Sequence, residues 1–383
     1  TDSVEGVVPE FMMLLQGVID SPDIPLNVSR SYLQSDSAVK KISGYITKKV
    51  SGRLEELFKA DRAEFEKKWD DIRLFIVYGM LTDEKFCDAA LKFMLLRDTE
   101  NRYFTAEEYK KLVEAEQTDA DGNIIYLYAT DPVAQYSYIK AANDKGYNVL
   151  LLDGQLDNHF VGLLEQKFEK TRLVRVDSGV IDQLIRKAGR KEADLTPLQR
   201  NILTGIFSSQ LPTVEKTNFL VSFEAMAPGD APIVITQEEY MRRMKEMAAM
   251  NPGMNFYGEL PDSYNLVVNT EHPLIVALRD KAGKELDSEV RPLADSIDSD
   301  NAAISEIRKA AGDKAPDAEG EQKIKELEKA VGETRERQNK IVADYAAGQP
   351  VVKQLIDLAL LGNGLLRGEA LNEFIKRSVS LLA

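Results

Sequence analysis

Two stretches in the last third of the chain carry the same seven-residue rhythm. Leu286, Val290, Leu293, Ile297, Asp300, Ile304 and Ile307 alternate at steps of four and three, and so do Ile324, Leu327, Val331, Thr334, Gln338, Ile341 and Tyr345. A stripe of that period makes one helix face seek another helix. Between the stripes lies "AGDKAPDAEG" (311–320), whose Gly, Pro and Asp residues mark a turn. Folded back antiparallel, the stripes match in one register: 307 with 324, 304 with 327, 300 with 331, 297 with 334, 293 with 338, 290 with 341 and 286 with 345. At about 1.5 Å per residue the arm projects roughly 30 Å. Asp300, Thr334 and Gln338 are the polar positions that select this register. Pro292 removes one backbone donor, so a kink or a late helix start is expected near it. The competing reading is a disordered charged linker, but linkers rarely keep heptads on both sides.

Elsewhere the pattern is mixed. A helix is expected from about Ser35, where Ser35, Asp36 and Ser37 are all N-cap candidates. Phe65, Trp69, Ile72 and Ile76 mark a second helix, and "TAEEYKKLVEAE" (105–116) another, capped by Thr105. Then "NIIYLYA" (123–129), "YNVLLLD" (147–153) and "RLVRVDS" (172–178) read as strands separated by helices. The first of these helices has Pro132 in its first turn and Gly146 at its end. Strands so uniformly apolar predict a small parallel βαβαβ subdomain layered with helices. "RKAGRKEADLTP" (186–197) is a polar linker. Beyond it come strands at "TNFLVSFEA", "APIVITQ" and "YNLVVNT", a helix at 237–250, and two terminal helices broken at "GNG" (362–364). The fold class is therefore α+β and α/β in more than one domain. The first spans 1–185, a linker covers 186–196, and an α+β domain fills 197–383 with the helical hairpin inserted at about 282–347.

The balance of charge narrows function. A net charge of −14 opposes a general grip on nucleic acid or on an anionic membrane surface. The single Cys87 allows no disulfide within the chain, and with only His159 and His272 beside it a four-ligand zinc site is excluded, so no metal is expected. Cysteine poverty fits a reducing cytoplasm. No apolar run approaches the 18 or so residues of a membrane span.

Few residues carry a chemical signature. The turn after the first strand, "TDPVAQ", has no glycine with which to bring backbone N–H groups to a phosphate, so no nucleotide site is expected in that sheet. "TDADGN" (118–123) places Gly122 fourth after Asp119 rather than sixth, which suits a turn and not a calcium loop. An α/β hydrolase would need a nucleophile elbow, and none is present. Met241, Met244, Met247, Met250 and Met254 fall within 14 residues, the first four at steps of three. Either they pack a core or they form an adaptable binding surface, methionine being flexible and polarisable. Arg242, Arg243 and Lys245 between them make the helix amphipathic. Near the start, Pro22 and Pro25 stiffen a loop that delivers Arg30 to a helix N-terminus, with Asn27 before it and Gln34 four residues on. An arginine fork beside unpaired N–H groups suits a phosphate or a carboxylate, although lone arginines are usually surface ion pairs. At the other end Leu371, Phe374, Ile375, Val379 and Leu382 form one stripe, and Leu355, Ile356, Leu358, Ala359 and Leu360 make the preceding helix apolar nearly all round. That exceeds what one small domain needs to bury, so pairing with the two-fold mates as a four-helix bundle is expected.

"GVIDSPDIPLNVSR" closely resembles a motif of the heat-shock protein 90 chaperone family, in particular its bacterial HtpG branch. The likeness continues in "VKKISGYITKKV", in "NIIYLYA" and "KGYNVLLLD", in "YNLVVNTEHPLI" and in the closing "FIKRSVSLL", and leaves out roughly 280–345, where the family usually has a short connection. The resemblance implies an ATP-dependent, stress-response chaperone that folds client proteins as a cytoplasmic homodimer. ATP with Mg would sit on an N-terminal domain that this chain, beginning inside the middle domain, does not include, so the polypeptide alone is expected to lack appreciable ATPase activity. It further implies that Arg30 reaches the ATP γ-phosphate in trans, with Gln34 and Asn27 assisting. Ser31 stands where the family usually has glutamate. The methionine helix falls where the family carries a mobile client-contacting helix. A rival from another class is a nucleotide-independent dimeric scaffold.

Overall fold

Strong caps set the first helices. The computed structural model describes residues 8–12, 37–189, 191–214, 216–250, 260–311 and 316–382. Helix α1 spans Ser37–Ala60, α2 Arg62–Thr82 and α3 Glu84–Ala90. Asp61 caps α2 by accepting from the Glu64 N–H, and Asp83 caps α3 by accepting from the Phe86 N–H. Phe65, Trp69 and Ile76 are buried, as their spacing predicts. The chain divides between Ala188 and Gly189 into two units.

In the first unit a short antiparallel ribbon, β1 (Leu96–Arg97) and β2 (Tyr103–Phe104), precedes α4 (Ala106–Val113). Thr105 and Glu108 close a capping box on α4. Three parallel strands follow, β3 (Ile124–Ala129), β4 (Val149–Leu151) and β5 (Thr171–Arg175), in the order β4-β3-β5. Leu127 pairs with Val149 on one side and Val174 on the other. Every residue of β3 is buried because each face meets a different core. Ile124, Tyr126 and Tyr128 join the one shared with Phe65 and Trp69, while Ile125, Leu127 and Ala129 pack with Ile139, Ala142 and Val176. α5 (Tyr136–Asp144), α6 (Asp157–Lys167) and the short α7 (Ile181–Leu184) complete the unit. α5 starts four residues after Pro132, later than the proline signal suggests. The Asp131 carboxylate accepts from the Val133 and Ala134 N–H groups, and the Gln135 side chain accepts from those of Thr130 and Asp131. These bonds hold 131–135 as a turn before the helix can begin.

The second unit starts with α8 (Pro197–Gln210), capped by the Thr196–Gln199 box. Its sheet has the order β6-β8-β7, with β6 (Thr217–Glu224) parallel to β8 (Asp262–Asn269) and β7 (Ile233–Gln237) antiparallel to it. α9 spans Glu239–Met250. α10 (Pro273–Ala311) and α11 (Ala318–Ala347) are long and pack on each other, and α12 (Pro350–Gly362) and α13 (Gly368–Leu382) end the unit. α10 runs unbroken through Pro292, against the expected late start. Pro292 is exposed, where water can replace the bond its ring nitrogen cannot donate. All fourteen heptad positions named above are buried or half-buried, and Arg308 pairs with Glu328 at 2.8 Å between the two helices.

α8 lies so close to α11 that a Cβ on Gly205 would stand 2.8 Å from the Val342 Cγ1. Valine is stiff and cannot swing away. Gly205→Ala, which in a free helix would stabilise, should here cost about 1–3 kcal/mol. Adding Val342→Ala should restore part of the loss in urea denaturation. Equal stability of Gly205→Ala and the parent protein would refute the close approach.

Candidate functional site

The three residues of the expected arginine loop, Asn27, Arg30 and Gln34, lie outside the described residues; the description resumes at Ser37, the first residue of α1. The other expected sites fall on α9, α12 and α13, except Met254, which also lies outside the described residues.

On α9, Met241, Met244 and Met247 are each half-buried, short of the wide exposure that a free surface would give, while the Met250 side chain and all of Met254 fall outside the described residues. The charged residues between them do not form a simple solvated face. Arg242 is buried and pairs with Glu239 at 3.2 Å, Arg243 reaches the same carboxylate at 2.6 Å, and Lys245 reaches Asp262 at the start of β8 at 2.6 Å. Tyr240 is exposed beside them. The helix thus offers a band of half-open thioethers flanked by one aromatic ring, on a base fixed by ion pairs.

The terminal helices divide the residues expected to pair. Leu355 and Phe374 lie in the unit's own core, where they pack with Ile356, Leu360 and Leu366, and Leu371 is half-buried against it. A polar set locks the two helices together. The buried Asp357 carboxylate accepts from Lys353 and Arg377, Arg377 also donates to the Gln354 side chain at 2.9 Å, and Gln354 donates to the Ser378 hydroxyl at 2.7 Å. What remains outward is apolar: Leu358 is 50% exposed, Ile375 51% and Val379 61%. Val351 and Leu361, which the spacing did not single out, join them as exposed residues. The side chain of Leu382 lies outside the described residues.

One charged cluster escaped the sequence reading. Arg73 on α2 pairs with Asp153 at 2.8 Å and with Asp157, and Arg97 on β1 pairs with Asp70 at 2.8 Å and Asp153 at 2.9 Å. Burial pushes both Asp153 and Asp157 upward. For Asp153 the Arg73 hydrogen bond and the charges of Arg73 and Arg97 outweigh it and hold the carboxyl below the usual aspartate range; for Asp157 burial prevails and the carboxyl is raised. The cluster ties α2 and β1 to the segment after β4. Its partners are far apart in sequence, so no local signal could reveal it.

Comparison with known proteins gives a consistent result. The family model described as Hsp90 protein matches residues 1–307. Chaperone protein HtpG of Bacteroides thetaiotaomicron is 53% identical over 386 residues, covering 100% of this chain and 56% of that protein. The HtpG of Porphyromonas gingivalis is 53% identical over 393 residues with the same coverage, and that of Alcanivorax borkumensis is 30% identical over 286 residues, 72% of this chain and 43% of its own. The chain thus spans 56% of the length of the first two relatives. Their matches run through the whole chain, α10 and α11 included, so the likeness also takes in the segment that the sequence motifs leave out.

Proposed function

The chain belongs to the Hsp90 family, and from that premise we propose that it is the middle-domain remainder and C-terminal domain of an ATP-dependent molecular chaperone. The observation that carries the reading is identity above one half to HtpG proteins along the entire chain. ATP with Mg is held on a separate N-terminal domain, and Arg30 reaches its γ-phosphate when the domains dock, with Gln34 and Asn27 bracing the loop. A guanidinium there meets the charge that spreads over the transferring phosphoryl oxygens. The protein works in the cytoplasm as a homodimer, joined by the exposed faces of α12 and α13. α10 and α11 form an antiparallel coiled coil in the register 304 with 327. The heptad seam supports this, since every position on it is at least half-buried.

Client proteins bind on α9. Half-open methionines beside an exposed tyrosine suit partly unfolded chains, whose apolar segments differ in shape and need a surface that repacks. Met244→Ser with Met247→Ser should weaken binding of an unfolded reporter protein about tenfold or more, since each change removes apolar contact worth roughly 1 kcal/mol. The melting temperature should hardly move. A large loss of stability with unchanged binding would assign these side chains to packing instead.

The second reading is a nucleotide-independent dimeric scaffold. The long α10–α11 pair and the open face of the last two helices would serve it equally well.

A further inference from the structure

One face of α1 lines a half-open cavity of about 510 Å³, closed on its other side by α3. Lys40, Lys41, Gly44, Thr47 and Lys48 recur there at helical spacing, and Lys85 faces them from α3. Gly44 keeps the middle of the face bare, for even a Cβ would meet nothing within 4 Å. Four lysines therefore line one space, in a chain of net charge −14. The only carboxylate in the lining, Asp83, already accepts from the Phe86 N–H at 2.9 Å as a helix cap. None of the four lysines forms an ion pair with another described residue, whereas Lys59, Lys140, Lys145 and Lys167 each hold a carboxylate.

Two further features point to an anion. Thr47 is only 4% exposed, and its hydroxyl has no hydrogen-bond partner among the described residues. A buried hydroxyl without an acceptor is an unmet donor. The first turn of α1 also holds no acidic residue, and Lys40 ends it with Lys41 next in the chain. Cations at that end oppose the helix dipole, and a bound anion would offset them.

We propose that this cavity binds a small phosphate-bearing polyanion of oligophosphate size, either free or as the phosphate chain of a nucleotide. The ammonium groups surround its charge, and the Thr47 hydroxyl donates to one of its oxygens once the side chain turns toward the ligand. Lysine ammoniums act as movable point charges, which suits tetrahedral phosphates in a chain better than a single planar carboxylate. The volume exceeds one phosphate and accommodates several in line. The site is built from α1, α3 and the Asp83 that caps α3, stands apart from the reading of Arg30, and is testable on this chain as it is.

Calorimetric titration with tripolyphosphate at low ionic strength should show saturable binding of one ion per chain that weakens as salt is added. Lys48→Gln with Lys85→Gln should lower the affinity about tenfold per lost charge. Thr47→Val should lower it several-fold while leaving the melting temperature unchanged or raised, because the variant loses an unmet donor. Lys110→Gln with Lys111→Gln, two exposed lysines on α4, should have no effect. ATP binding as tripolyphosphate does, with adenosine silent, assigns recognition to the phosphate chain; a preference for the free oligophosphate selects that source. Absence of saturable binding would overturn the proposal. So would an equal loss in the α4 control, or binding of a polyglutamate peptide where tripolyphosphate fails.

Discussion

Arg30→Ala, in a chain joined to the family's N-terminal nucleotide-binding domain, should lower ATP turnover by about 10³-fold. Hydrolysis of ATP leaves little covalent work for the protein. The barrier falls because fixed positive charge meets the phosphoryl oxygens as they develop charge. An arginine brought from another domain supplies that charge only in the docked state. The loss should therefore appear in kcat, with KM for ATP nearly unchanged, because the nucleotide is held elsewhere. Arg30→Lys should recover little, since an ammonium cannot reproduce the two-pronged fork. Gln34→Ala should cost less than Arg30→Ala, as a neutral amide stabilises charge more weakly. Turnover unaffected by Arg30→Ala would remove the residue from the mechanism and favour the scaffold reading.

Leu358→Asp, Ile375→Asp and Val379→Asp together should convert the proposed dimer to monomers in sedimentation. These side chains are exposed within the unit, so the changes leave its core intact. In a two-fold pairing each substitution is felt twice. Burying an apolar side chain contributes about 1.5–3 kcal/mol, so the dissociation constant should rise by at least about 10³-fold. This test is cleaner than removing residues 370–383. That deletion would also strip Phe374 from the core and leave the buried Asp357 with Lys353 as its remaining cation. A triple variant that still sediments as a dimer would place the interface elsewhere.

The contrast between Leu355 and Leu358 shows how far the sequence could be read. Periodicity announces that α12 is apolar nearly all round, but not which side its own unit covers. Leu355 and Phe374 turned inward, and Leu358, Ile375 and Val379 stayed out. The two long helices were legible in the heptad stripes because helix formation there follows local spacing. The cap at Thr105 was legible for the same reason, being closed by a residue three positions on, whereas Thr196, which closes the same kind of box on α8, was placed in the polar linker. The delayed start of α5 was not, because Asp131 and Gln135 bind backbone groups that the proline signal assigns to a helix. Arg242 counted only as one of the charges that make α9 amphipathic, and its burial beside Glu239 was not legible. The Arg73–Asp153–Arg97 cluster depends on elements brought together by packing, and no spacing in the chain encodes it; the lysine face of α1 has helical spacing, but Lys85 joins it only through packing.

The central claim, that the protein is an ATP-driven chaperone, is tested most directly by refolding a heat-denatured reporter enzyme with the chain joined to its nucleotide-binding domain. The account predicts that recovered activity rises when ATP is added and drops to the nucleotide-free level in Arg30→Ala. Recovery that is equal with and without ATP, and equal in Arg30→Ala, would contradict it.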